Sequence, residues 1–380
     1  MFDSIRNYIA YFKNRIKDNN FDSLLWIVNG APSIVGFNLR KDKIWAPFFV
    51  IHMSLLTYVY GVGNVMYQVK YAKNTGDFIE SYVNITIMIL AAVSGYWFIV
   101  YRPPLRVILN LAEENDRLSK TSPIVKKKRE KLLATIKIIV FIFYGCNLTN
   151  ATFVYLPHRV DILSHYAMQP CVGLEPLTSS PNREICLTIL CAQELSIMTV
   201  VLNYQALWLV LVAHTAVMYQ VLSEEMLIVN TDEEILEDKL LSFIHRHNVI
   251  LDITHRLKEI YSMPIGMNLG VNAICMCLFF FMPLSDWFKF MPILVYCFVV
   301  FFLNCFLCQR LINASEEFER AVYGCGWENF DVIKKKWVYI MLMNSQKPAQ
   351  LLAADIIPVN IATFATTMQS MYKFITVFKL

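Results

Sequence analysis

Stretches without a charged residue alternate with charged segments along the whole chain. Apolar runs over 44–69, 81–101, 138–158, 195–223, 260–285 and 291–309 are long enough to carry a helix across a bilayer, which takes roughly 20 residues. A seventh, 356–372, is shorter but continues past Lys373 to Phe378. Only Glu194 interrupts the stretch that leads back from the fourth run to Cys186, so that span is expected to begin near Cys186. None of the runs alternates with period two, so helices rather than barrel strands are predicted. Between the fourth and fifth runs, Ile235, Leu236, Leu240, Phe243, Ile244, Ile250 and Leu257 recur at helical spacing among charges. Asp232, Glu233 and Glu234 suit the first turn of that helix, where the dipole favours anions. It is expected to extend span four. A second amphipathic stretch, 328–344, precedes the last span; both read as solvated helices packing on each other or as a platform where subunits meet. The predicted fold is all-α and polytopic, with seven transmembrane helices. A segment 1–43 leads into helices one to six over 44–312, a segment 313–349 follows, and the last helix lies within 350–380.

Composition agrees. The chain of 380 residues is 56% apolar and 17% charged, whereas soluble domains average roughly 45–50% and about 25%. Lysine and arginine set the sidedness. The segments before span one and between spans two and three, four and five, and six and seven hold 26 of them, and the opposite side holds seven. The N-terminus is therefore expected in the cytoplasm and the C-terminus outside, the reverse of a G-protein-coupled receptor. Residues 1–43 contain no apolar core ending in small residues, so the first span is expected to act as the targeting signal. The basic run 126–131 sits where anionic lipid headgroups, rather than nucleic acid, would meet it.

Candidate chemistry is sparse. Of ten cysteines, Cys146, Cys191, Cys275, Cys277, Cys297 and Cys305 fall within spans, where the thiol is a small apolar group. Cys305 and Cys308 form a C-x-x-C without a second ligand pair, so no metal site is expected. Cys171 and Cys186 bracket part of the long loop 156–185; a disulfide and two free thiols both remain open. Four prolines, Pro157, Pro170, Pro176 and Pro181, make that loop read as an ordered cap or lid, and His158 and His165 within it as structural. Glu316, Glu317 and Glu319 read as a solvated face. No phosphate loop, nucleophile elbow or dinucleotide fingerprint is present, so neither a cofactor nor an enzyme is expected. What the outer halves of the spans carry is a scatter of polar and aromatic groups: Tyr82 and Thr86, then Tyr144, Asn147, Asn150 and Phe153, then Gln193 and Ile197, and Tyr296. Such residues line a small-molecule pocket or hydrogen-bond neighbouring helices. In the last span, Met371, Ile375 and Lys379 share one face, near Met368. An apolar ring there can gate a pore, and Lys379 can equally snorkel to headgroups.

The last 75 residues are more distinctive. Cys305 and Ser315 are followed by Ala321-Val322-Tyr323-Gly324-Cys325-Gly326-Trp327, by Met343 before Gln346-Lys347-Pro348, by Ala353-Ala354, by Thr363-Phe364, and by Tyr372-x-Phe374-x-Thr376-Val377-Phe378-Lys379. This series resembles the C-terminal signature of the insect odorant receptor family. Ala354 stands where the family has glycine, as does Cys308, and Lys373 replaces a small polar residue. Thr363-Phe364 without a closing Gln-Phe favours the odorant branch over gustatory receptors. The absence of a long insertion between spans four and six points to a tuning subunit rather than the co-receptor. The resemblance implies an odorant-gated, non-selective cation channel, a heterotetramer with the co-receptor in the plasma membrane of olfactory neuron dendrites; the alternative is a homomeric channel of the gustatory type. It implies a volatile odorant bound by Tyr82, Thr86, Tyr144, Asn147, Asn150, Gln193, Ile197 and Tyr296. It implies a pore lined by Met371, Ile375 and Lys379, and a subunit anchor containing Tyr323, Trp327, Gln346, Lys347 and Pro348.

Overall fold

The computed structural model describes residues 13–35, 38–40, 46–70, 72–73, 75–119, 123–155, 171–174, 179–228, 233–282 and 287–379. His158, His165, Pro157, Pro170 and Pro176 lie outside them, as does the side chain of Lys379. The described residues are almost entirely helical. Helix α1 (Phe21–Ile34) starts under a cap in which Asn20 Oδ1 accepts from the Ser23 amide at 2.7 Å. Helix α2 (Ala46–Lys70) is followed by α3 (Thr75–Val100) and α4 (Arg102–Leu118). Pro103 and Pro104 sit in the first turn of α4, where a missing N–H is no loss. Then come α5 (Pro123–Asn150), α6 (Asn182–Leu227), α7 (Glu233–Phe279) and α8 (Trp287–Tyr323). A short helix, α9 (Val332–Ser345), is capped by Asp331, whose side chain accepts from the Lys334 amide at 2.8 Å. Helix α10 (Ile361–Lys379) closes the chain.

Six of these helices, α2, α3, α5, α6, α7 and α8, are long and apolar enough to cross a membrane. Helix α10 has 19 residues, about 28 Å at roughly 1.5 Å each, close to the thickness of the hydrocarbon core. Helix α6 has 46 residues, α7 47 and α8 37. At the same rise they reach about 55–70 Å and project well beyond a bilayer at the end rich in Lys and Arg. The amphipathic stretch after span four was expected to extend that span. Instead α6 ends at Leu227, and the stretch is the first half of α7, continuous with span five.

Helix α7 keeps its course through Pro264 because a neighbour satisfies what the proline leaves open. Proline has no amide hydrogen for the carbonyl four residues back, and Trp97 Nε1 of α3 donates to that Ile260 carbonyl at 2.8 Å. Trp97 also packs on Tyr261 and Tyr204, with ring centroids 4.6 and 4.8 Å away, and Trp208 lies 4.6 Å from Tyr261. This aromatic knot joins α3, α6 and α7. Beside it Trp208 Nε1 donates to Asn304 Oδ1 at 2.9 Å, and Asn304 reaches Asn268. Such bonds hold helices together where apolar contact alone cannot distinguish helix from lipid.

A two-stranded hairpin, Leu352–Ala353 against Ile357–Pro358, interrupts the expected all-helical pattern just before α10. It docks on α7. The Ala354 amide donates to the Ser262 carbonyl at 2.8 Å, and the Asp355 amide to Ser262 Oγ at 2.7 Å. Gly266 permits this approach, since a Cβ there would stand 3.0 Å from the Ala354 amide nitrogen.

At the basic end, α1, α4, α5, α6 and α7 meet around buried charges. Arg246, 1% exposed, donates from Nη1 to Glu225 Oε2, and its Nε lies 3.3 Å from Asn115 Oδ1. His214 Nε2 is 3.3 Å from Asp116 Oδ1, and its ring stacks on Phe21. Arg129 donates to the Asp116 carbonyl and to Ser119 Oγ. Burial pushes the Asp116 carboxyl up, but His214, Arg129 and Arg246 outweigh it and hold it below the usual carboxylate range.

Candidate functional site

The opposite end of the bundle is built differently. A cavity of about 100 Å³ lies among α2, α3, α5, α6 and α8, lined by Tyr60, Ile87, Leu90, Asn147, Asn150, Ala151, Glu194, Ile197, Met198, Val201, Leu202 and Tyr296. Three helices loosen into π-helical turns here: Thr57–Gly63 in α2, Ala151–Tyr155 after α5, and Met198–Leu202 in α6. Each contributes lining residues. A π turn adds one residue to a helical turn and recurs at functional sites. It bulges the backbone, so three of them facing one another leave space between helices that regular turns would close.

The walls are mostly apolar with few polar groups. Asn147 Nδ2 is turned back to the Phe143 carbonyl at 2.9 Å. Tyr296 donates to Gln205 Oε1 at 3.1 Å. Asn150 Oδ1 is buried with no hydrogen-bond partner among the described residues, and leaving such an acceptor unpaired costs about 1–3 kcal/mol. A hydroxyl brought in by a ligand would remove that cost. Beside the cavity the chain is pinned by a disulfide between Cys171 and Cys186, one of the two states that spacing left open.

Of the eight residues expected at a ligand site, Asn147, Asn150, Ile197 and Tyr296 line this cavity, and Tyr82, Thr86, Tyr144 and Gln193 do not. Tyr144 donates to Asn203 Oδ1 at 3.0 Å, and Thr86 Oγ1 donates to the Val83 carbonyl at 2.7 Å, so both serve helix contacts. Gln193 is fully buried off the cavity wall, with both amide atoms unpaired among the described residues, and Tyr82 is 40% exposed. Ile87, Leu90, Glu194 and the π-turn residues Tyr60, Ala151, Met198, Val201 and Leu202 were not expected. A π turn leaves no mark in hydrophobic periodicity, and Tyr60 looks like any interfacial aromatic.

The last helix also differs from expectation. Met371 is buried against its own chain and Ile375 is half-buried. Together with Phe364 and Met368 they form the covered face. Phe364 packs on Phe298, Phe301 and Phe302 of α8, at 5.5–5.7 Å between ring centroids, and Phe374 on Phe281. The open face of α10 carries Thr366, Gln369, Lys373 and Thr376. Large apolar residues are exposed on this helix as well, Tyr372 and Val377 among them, so spacing identifies a stripe but not the side it turns to. At the basic end, Tyr323, Gln346, Lys347 and Pro348 are exposed. Trp327 is half-buried, with Nε1 donating to the Tyr323 carbonyl at 3.1 Å. They flank an exposed apolar face of α9 made by Val332, Ile333, Tyr339, Ile340 and Met343. The Ala349 amide, donating to Ser315 Oγ at 2.9 Å, ties the segment to α8.

A family model described as 7tm Odorant receptor matches residues 74–372. Among curated relatives, Odorant receptor 67a of Drosophila melanogaster is 32% identical over 141 residues, 36% of this chain and 35% of the relative. Odorant receptor 22a of the same organism is 25% identical over 168 residues, 39% of this chain and 38% of the relative. The matched region thus spans little more than a third of these relatives. Among solved structures, the insect olfactory receptor OR5 from Machilis hrabei superimposes with a TM-score of 0.79 at 15% identity, over 93% of this chain and 97% of that one. The structure of OR5 in complex with eugenol gives 0.76 at 16% identity, over 97% and 98%. At these identities the likeness is one of fold.

Proposed function

Because the chain belongs to the 7tm odorant receptor family, we propose that it is the odorant-binding subunit of a ligand-gated, non-selective cation channel in the plasma membrane of olfactory neurons. Its partner in a heterotetramer is the odorant co-receptor, and its N-terminus is cytoplasmic. The observation that carries this reading is the apolar cavity with its unpaired acceptor, Asn150 Oδ1. The ligand is a small uncharged volatile with a hydroxyl for Asn150 and a hydrocarbon body for Ile197, Met198 and Val201.

Size supplies the mechanism. About 100 Å³ is less than the roughly 150 Å³ that admits benzene in an engineered cavity. A ligand of ten heavy atoms must widen the site, and the π turns give the helices slack to move apart. Only the difference in affinity between the narrow and wide arrangements can drive a gate. Helix α8 links the two: Tyr296 lines the cavity, and Phe298, Phe301 and Phe302 hold Phe364 of α10. In the assembled channel the open face of α10, with Thr366, Gln369, Lys373 and Thr376, lines the pore, while Met371 and Ile375 transmit the movement from behind. The apolar face of α9, with Tyr323, Trp327, Gln346, Lys347 and Pro348 around it, packs between subunits.

Whole-cell current, measured with this chain alone and with an insect odorant co-receptor against a broad odorant panel, tests the reading. Currents that require the co-receptor and reverse near zero millivolts are expected. Robust current from the chain alone would replace the heteromer with a homomeric, gustatory-type channel. Silence in both cases, with the chain at the cell surface and the whole panel applied, would overturn the odorant-channel reading.

A further inference from the structure

Tyr296 belongs to two spaces. Its inner side closes the cavity; its outer side lines an apolar groove of about 570 Å³ between α5 and α8. The groove is walled by Ile142, Gly145, Cys146, Met291 and Val295, and Ile142 and Val295 are about half exposed. Both helices here are membrane spans, so what fills the groove comes from lipid. The Thr149 hydroxyl on its wall is already engaged, Oγ1 donating to the Gly145 carbonyl at 2.9 Å. Among the described residues, nothing outside Gly145's own turn of helix stands within 4 Å of where a Cβ would be. The divider is light, since the Tyr296 hydroxyl is held by one hydrogen bond to Gln205.

We propose that the groove is an entry site, through which small, uncharged, lipid-soluble molecules pass sideways from the bilayer into the cavity, Tyr296 acting as the leaf between them. This rests on the cavity being the ligand site. The ligand class fits the route: each methylene transferred from water to lipid gains about 0.8 kcal/mol, so a six-carbon chain is concentrated in the bilayer by roughly three orders of magnitude. The groove is where such a molecule, already dissolved in lipid, meets the chain. An entry site has a kinetic signature. Obstructing it slows arrival and departure alike and leaves the equilibrium occupancy of the cavity unchanged.

The test uses the full chain in phosphatidylcholine vesicles and a diazirine-bearing octanol, flashed at set delays after mixing, with adducts mapped by mass spectrometry. Adducts at Cys146 and Met291 are expected to precede those at Ile197 and Met198. Gly145→Phe, filling open space, is expected to slow the cavity adducts about tenfold and keep their plateau. Val295→Trp, from the facing wall, is expected to do the same, and the kept plateau shows that both variants are folded. Cavity adducts forming at the unmodified rate in both variants would overturn the proposal. So would a lowered plateau at an unchanged rate, which makes the groove part of the cavity, or a diazirine-bearing phosphatidylcholine labelling the groove that octanol cannot displace, which makes it a lipid seat. Absence of cavity adducts at saturation in the unmodified chain, with the groove labelled, would overturn the ligand cavity itself.

Discussion

The two ends of the helical bundle solve opposite problems. At the basic end, five helices close on buried charge: Arg246 with Glu225 and Asn115, Asp116 with His214, Arg129 on the Asp116 backbone. At the other end, three helices loosen into π turns around a cavity that leaves Asn150 Oδ1 unpaired. A buried ion pair tolerates little displacement, because losing one partner strands a charge in a low dielectric. An apolar cavity tolerates displacement well, because dispersion contacts reform wherever the walls settle. The molecule therefore has one end fit to hold its helices in register and one fit to yield.

The largest effect is expected at the rigid end. Glu225→Ala leaves Arg246, 1% exposed, without its carboxylate, and should cost about 3–5 kcal/mol, read as a lowered thermal unfolding midpoint in lipid nanodiscs. Replacing both residues by methionine should recover most of that, since the packing volume stays while the charges go. A single loss costing less than about 1 kcal/mol would mean that the charges are hydrated, and the contrast between the ends would fail. Asp116 adds a pH dependence. Its carboxyl is held below its ordinary range, so its stabilisation is fully present above the unfolded value near 3.9 and lost as pH falls through the lower folded one. Asp116→Asn should remove that acid-side loss.

Next in size is the joint between the ends. Gly266→Ala sets a Cβ 3.0 Å from the Ala354 amide nitrogen. Because the obstacle is backbone, the hairpin must shift, at about 1–3 kcal/mol. Ligand binding to the cavity should survive, while coupling to α10 weakens. Equal current at saturating odorant would show that the hairpin is passive.

At the yielding end, Asn150→Ala should not lower stability, since it removes an acceptor that already lacks a partner, yet should weaken hydroxyl-bearing ligands by roughly tenfold relative to their methyl ethers. Dose–response curves for such matched pairs check it. A uniform loss across both members would show that Asn150 shapes the cavity without bonding to ligand.

How much of this was legible beforehand follows the same division. The long spans are visible because the bilayer imposes about 20 apolar residues on each. Helix α4 was not visible as a separate element: its buried Leu105, Ile108, Leu109 and Ala112 are set among charges and amount to less than a span. Half of the expected ligand residues line the cavity; of the rest, Tyr144 bonds Asn203 on another helix, Thr86 bonds Val83 in its own, Gln193 is buried off the wall and Tyr82 is exposed. A polar side chain inside a membrane helix looks the same whether it awaits a ligand or bonds Asn203. Met371 and Ile375 do share a face, but the partner of that face is α8 of the same chain, a tertiary fact that periodicity does not contain.

The smallest effect expected is also the most local. Ala354 and Asp355 take φ values of 51° and 57°, the left-handed central pair of the tight turn in the three-residue hairpin loop, where glycine, asparagine and aspartate are favoured. Aspartate is at home there; alanine is not, because its Cβ crowds the neighbouring carbonyl at about 1–2 kcal/mol. Ala354→Gly relieves that crowding and gives back about 0.5–1 kcal/mol through the freer unfolded chain, so a net gain of up to about 1 kcal/mol is expected, seen as a small rise in the unfolding midpoint. The sign carries the information. The Ala354 amide is bonded to the Ser262 carbonyl, which ties the turn to the stretch of α7 around Pro264, so the turn is held from outside as well as by its own conformation. If Ala354→Gly lowers the midpoint, the turn is being held by the Ala354 side chain against Gly266, and the joint between the two ends is a packed contact rather than a hydrogen-bonded one.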